Sequence, residues 1–74
     1  KKMTVFSNAE GMQLYTSGYV KFTLGKNGAI YTPFCGICFE TQNFPDSPNR
    51  PEFPSTILKP NQEYNSITEF HFEF

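Results

Sequence analysis

The sequence predicts an all-β protein, and three observations carry that prediction. Nine Phe and four Tyr make aromatics 18% of the chain, a composition that suits pleated, half-buried surfaces. Apolar residues never recur at a sustained helical period, so no helix is expected. The chain is instead punctuated by Gly, Asn and Pro clusters that separate short apolar runs, as turns separate strands.

Taken in order, Met3 to Ser7 is a strand end rich in Thr, Val and Phe, followed by a polar turn at Asn8–Gly11. Met12 to Thr16 is a short strand broken at Ser17-Gly18, and Tyr19 to Leu24 is a strand or an extended excursion. Gly25-Lys26-Asn27-Gly28 is a turn carrying the Asn-Gly pair, whose two residues tolerate the positive φ of a tight hairpin. Phe34 to Thr41 is expected to be the best-buried strand. Asn43 to Pro54 then holds four prolines, which cannot donate ladder hydrogen bonds, so it is a loop. Ser55 to Leu58 is a short strand and Lys59-Pro60-Asn61-Gln62 a turn. From Ser66 to Phe74 a last strand alternates, with Phe70, Phe72 and Phe74 on one face and Glu69, His71 and Glu73 on the other.

Seventy-four residues fit one small domain or part of a larger one. A chain this short buries only roughly 60–65% of its extended surface, so its core is thin. Small independent domains compensate with disulfides or metals, but two Cys and one His are too few for a stapled scaffold or a four-ligand zinc site. The chain is therefore expected not to stand alone. A net charge of −1, from six basic and seven acidic residues, offers no basic stripe for nucleic acid. No apolar run approaches the roughly 20 residues of a membrane helix. The stretch KKMTVFSNAEG lacks an apolar core of the signal-peptide kind, and with few cysteines this points to a reducing, cytoplasmic setting.

Residues 34–46, FCGICFETQNFPD, hold two chemical candidates. Cys35 and Cys38 have redox or metal spacing. On a strand, however, they would face opposite sides with Cα atoms about 10 Å apart at ~3.3 Å per residue, beyond the roughly 7 Å limit of a disulfide. A redox CxxC also needs a following helix, which the prolines forbid. Two separately buried thiols are the expectation. Glu40 is the stronger candidate. By strand parity it shares a face with Phe34, Gly36 and Cys38, none of them charged. Burial of a bare carboxylate raises its pKa, which suits a general base working near neutrality; the bland alternative is a strand-end carboxylate paired with a lysine or a backbone amide. The long proline loop that follows favours function, since loops of this length in small domains usually serve one.

Gln13, between Met12 and Leu14 and on the face of Tyr15, is either solvent-facing or a ligand-orienting amide with one donor and one acceptor group. His71, flanked at i±2 by Glu69 and Glu73, marks a solvated face. Asp46, Glu52 and Glu63 show no metal spacing, and no GxSxG, phosphate-binding or dinucleotide fingerprint is present.

Four stretches carry a resemblance: EGMQLYTSGYV (10–20), GKNGAIY (25–31), CFETQNFPDSPNRPEFP (38–54) and LKPNQEYNSITEFHF (58–72). Together they resemble the C-terminal segment of the aldose 1-epimerases (galactose mutarotases). The resemblance implies an antiparallel β-sandwich, a supersandwich of which these residues are the C-terminal strands, so that residues 1–74 are a portion of one domain. It implies that Glu40, in F-C-x-E-T-Q, is the catalytic base, and that Gln13, in Q-x-Y-T, contacts sugar hydroxyls. It further implies anomer interconversion of hexoses such as galactose and glucose by proton transfer alone, without metal or cofactor. The family's acid histidine comes from earlier in the chain and its motif is absent here, and His71 falls in a terminal strand where no catalytic role is expected. The expected partners are thus an aldohexose and the remainder of the domain, with no nucleic acid and no membrane. The isolated chain is expected to be inactive. The alternative is a mutarotase-like module that binds sugar or a partner without catalysis.

Overall fold

The computed structural model describes all 74 residues and is built from strands and two short 3-10 turns. Six strands are labelled in chain order: β1 (Lys2–Ser7), β2 (Gly11–Tyr15), β3 (Thr23–Leu24), β4 (Ile30–Tyr31), β5 (Cys38–Gln42) and β6 (Thr68–Glu73). They pair as three nested antiparallel ribbons, β1 with β6, β2 with β5, and β3 with β4. The all-β antiparallel class is the one the sequence predicts.

The innermost ribbon follows from its turn. Asn27 and Gly28 take φ values of 55° and 75°, and Ala29 N–H closes back onto the Lys26 carbonyl at 3.0 Å. This is the left-handed geometry that an Asn-Gly pair accommodates with least steric cost. The Lys59–Gln62 turn is equally faithful to its residues. Pro60 holds the second position, Asn61 takes φ 64° at the third, and Gln62 N–H reaches the Lys59 carbonyl at 3.1 Å, as in a type II turn.

The segment before β5 departs from expectation. Strand pairing begins at Cys38, not Phe34. Thr32-Pro33-Phe34-Cys35 forms another turn, with Cys35 N–H on the Thr32 carbonyl at 3.2 Å and Phe34 at φ 63°. A proline at the second position promotes that turn even though the third is a bulky residue ill suited to positive φ. Ser17 secures the segment. Its hydroxyl donates to the Gly36 carbonyl at 2.9 Å and accepts from Gly36 N–H at 3.1 Å, which leaves Ser17 buried. Two further differences are smaller. Only Thr23 and Leu24 of the 19–24 run pair as strand. Ser55 to Leu58 forms no strand, since every paired segment already has its partner in one of the three ribbons and none lies beside it.

The two longer ribbons each have an apolar face. Met3 pairs with Phe72 and Val5 with Phe70 on one, and Met12 with Thr41 and Leu14 with Phe39 on the other. No hydrophobic side chain is fully buried. The expectation that β5 is a buried strand is therefore not met: Cys38 and Glu40 are exposed and the rest half-buried. A hydroxyl chain links the ribbons, with Thr68 Oγ1 at 2.6 Å from Thr41 Oγ1 and 3.3 Å from Ser7 Oγ.

Candidate active site

The β2–β5 ribbon brings the two predicted residues together. Its register places Gln13 directly opposite Glu40, with Gly11 opposite Gln42 and Tyr15 opposite Cys38. Directly opposed residues share a face of an antiparallel pair, their Cβ atoms about 4.5–5.5 Å apart. One face of the ribbon therefore carries Gly11, Gln13, Tyr15, Cys38, Glu40 and Gln42, while Met12, Leu14, Phe39 and Thr41 occupy the other. Sequence parity gave each residue its own face, and the pairing shows that the two faces coincide.

Both side chains are exposed, and neither takes a hydrogen bond or ion pair within the chain. Glu40 sits in mid-strand, so the bland reading of a strand-end carboxylate tied to a lysine or an amide does not hold. The apolar enclosure expected around it also differs. Of its predicted neighbours only Cys38 shares its strand, because Phe34, in the Thr32–Cys35 turn, and Gly36 both precede β5. A carboxylate acceptor and an amide with both donor and acceptor thus stand side by side, free to engage a hydroxylated molecule.

The proline loop folds against one end of this face. A Cβ placed on Gly11 would come within 2.8 and 2.9 Å of the Phe44 ring, so the ring occupies the space a side chain at position 11 would need. Phe44 in turn packs on Phe53, ring centroids 5.2 Å apart and tilted by 58°. The loop closes on itself through a 3-10 turn at Ser47–Asn49. There Ser47 is buried and donates its hydroxyl to the Phe44 carbonyl. The Asp46 carboxylate accepts from Asn49 Nδ2 at 2.6 Å and Arg50 Nε at 3.2 Å. Sequence reasoning marked this loop as functional but passed over Phe44. The available signal was Gly11, since a glycine inside a strand often marks a close approach.

The remaining candidates lie apart from the pair. His71 is on β6, in the other long ribbon, its Nε2 2.9 Å from Glu69 Oε2 with both side chains more than half exposed. That is the solvated face the sequence predicts, although Phe6 also lies on it, its ring 4.9 Å from the imidazole. Cys35 and Cys38 are unpaired, as expected, but exposed, not buried. Cys35 lies in the Thr32–Cys35 turn and Cys38 on the open face, so neither reaches an interior. No group of three or more His, Cys, Asp or Glu side chains gathers where it could hold a metal.

Comparison with known proteins finds relatives along nearly the whole chain. The chain is 48% identical over 71 residues to galactose mutarotase of Mus musculus and 45% identical over 71 residues to that of Homo sapiens. In both, the match covers 95% of this chain and 21% of the relative. It is 33% identical over 73 residues to aldose 1-epimerase of Escherichia coli, covering 96% of this chain and 21% of the relative. The chain thus spans about a fifth of the length of the curated relatives it matches. No solved structure matches it. Residues 1–71 match the aldose 1-epimerase family, and the chain belongs to that family.

Proposed function

We propose that these residues supply the general base and one sugar contact of an aldose 1-epimerase that interconverts the α and β anomers of hexoses such as galactose and glucose. The observation that carries this reading is the Gln13–Glu40 pair, directly opposed on one open face with neither side chain engaged. Glu40 takes the proton of the anomeric hydroxyl while an acid outside these residues protonates the ring oxygen. The C1–O5 bond breaks as the carbonyl forms, and rotation about C1–C2 presents its other face. The reverse transfers then close the ring as the other anomer. Gln13 holds a neighbouring hydroxyl so that the proton of the anomeric hydroxyl lies within reach of the carboxylate. Proton transfer alone completes the cycle, so no metal or cofactor is required.

The acid and the cover for the apolar faces come from the remainder of a single domain of which residues 1–74 are a portion. The two free, exposed thiols suit a reducing compartment such as the cytoplasm. Polarimetry of freshly dissolved α-galactose with the whole protein tests the assignment. Glu40→Gln keeps the shape and removes the base, and the catalysed rate should fall about 10²–10⁴-fold, the usual contribution of a general base. A wild-type rate in that variant would remove Glu40 from the chemistry.

A further inference from the structure

Phe44 stands beside the Gln13–Glu40 pair with no part in the proton transfers. Gly11 is two residues from Gln13 on the same strand, hence on the same face about 6.6 Å away, a distance comparable to the width of a pyranose ring. The Phe44 ring lies where the side chain of residue 11 would project, which puts the ring on the face that carries the carboxylate and the amide. It is fixed there from behind. Phe53 packs on it, Ser47 N–H and the Ser47 hydroxyl both bind its carbonyl, and Asn49 and Arg50 tie the loop to Asp46. Phe44 nonetheless remains 37% exposed. A fixed, half-exposed aromatic surface next to two free polar groups matches what a sugar presents. Its hydroxyls, at the rim, need placed polar partners, and its ring C–H bonds need an apolar surface.

We propose that Phe44 is a sugar-stacking residue that positions the pyranose over Glu40 and contributes to the choice among hexoses. The proposal rests on the Gln13–Glu40 face being the sugar site. In galactose the axial 4-hydroxyl leaves the C3, C4 and C5 hydrogens together on the opposite face, whereas the equatorial 4-hydroxyl of glucose turns its C4 hydrogen to the other side. An aromatic surface therefore favours galactose more than glucose.

The test is steady-state mutarotation by the whole protein with both sugars. Phe44→Leu keeps apolar volume on Gly11 and Phe53 but removes the flat ring. KM for galactose should rise about 5–10-fold, with a smaller rise for glucose and kcat falling by less than about twofold. Phe44→Tyr retains the ring and should recover the wild-type KM. An unchanged KM for galactose in Phe44→Leu, at an unchanged thermal midpoint, overturns the proposal, as does an equal rise for both sugars. Should the leucine variant fail to fold, Phe44→Trp gives a second reading. The emission difference between that variant and wild type should shift on adding galactose, and an emission difference unmoved at saturating sugar overturns the proposal. Failure of the underlying site is separately visible, because it appears as full activity in Glu40→Gln.

Discussion

Gln13 shows how much a single side chain's role depends on its cross-strand neighbour. On its own it is an exposed amide between two apolar residues, and the sequence leaves it undecided between solvent and ligand. Opposite Glu40, it acquires a geometric task under the proposed function, in which a hydroxyl bound to the amide brings the adjacent C–OH toward the carboxylate. Gln13→Ala removes one or two hydrogen bonds of about 0.5–1.5 kcal/mol each. In the whole protein it should raise KM roughly 3–10-fold, with a smaller loss in kcat than Glu40→Gln produces. Steady-state kinetics of both variants checks this, and an unchanged KM would return Gln13 to the solvent-facing reading. Glu40 and Gln13 stood out in the sequence as polar residues in apolar runs, and the family resemblance supplied the roles proposed for them. Phe44 did not stand out, because an aromatic next to a proline looks like any other packing residue until the glycine beneath it is found. The burial of both thiols was misjudged because Cys35 lies in a turn and Cys38 on the open face of β5, where nothing covers either.

At the scale of the elements, the sequence was most reliable where a turn's residues dictate its dihedrals. Asn27, Gly28 and Asn61 take the positive φ their residue types tolerate, Pro60 sets the second position of its turn, and the alternation of β6 is expressed in its register with β1. Strand limits were less legible, because pairing needs a partner and not only a pattern. Phe34 to Ile37 has strand composition but is diverted by the Pro33 turn and held by Ser17. The end of the β1–β6 ribbon rests on a side chain that no pattern announces. Asn8 continues the ladder through its backbone, with its N–H 3.3 Å from the Ile67 carbonyl. Its amide then extends it, Oδ1 accepting from Ile67 N–H at 3.0 Å and Nδ2 donating to the Asn65 carbonyl at 3.1 Å. Asn8→Ala deletes both side-chain bonds and frees the chain leading into β6, at a cost of about 1–2 kcal/mol. Denaturant unfolding of the whole protein should show the midpoint lowered with the slope preserved. An unaltered midpoint would mean that the β1–β6 pairing does not draw on Asn8.

For the molecule as a whole, what decides its behaviour is the lack of an interior. Only Ser17 and Ser47 are buried, and both are fixed by hydrogen bonds to turns. The apolar faces of both long ribbons look outward: Met3 and Phe72 on one, Met12 and Leu14 on the other, are all exposed. The Cα radius of gyration is 16.8 Å, against about 11 Å for a compact chain of this length. Two-stranded ribbons are marginal in water unless a further layer covers an apolar face, and the entropy of ordering the chain is offset mainly by the burial missing here. In relatives roughly five times as long, sequence outside the matched segment is available to form that layer. The 74 residues alone should therefore show no cooperative thermal transition. Circular dichroism at 218 nm, followed on heating, should drift without a sigmoidal step, and the near-ultraviolet signal of the tyrosines should stay weak for want of fixed packing. A sharp transition whose midpoint does not vary with protein concentration would show that the ribbons close a core of their own. Glu40 and Gln13 would then be held in place without the rest of the domain.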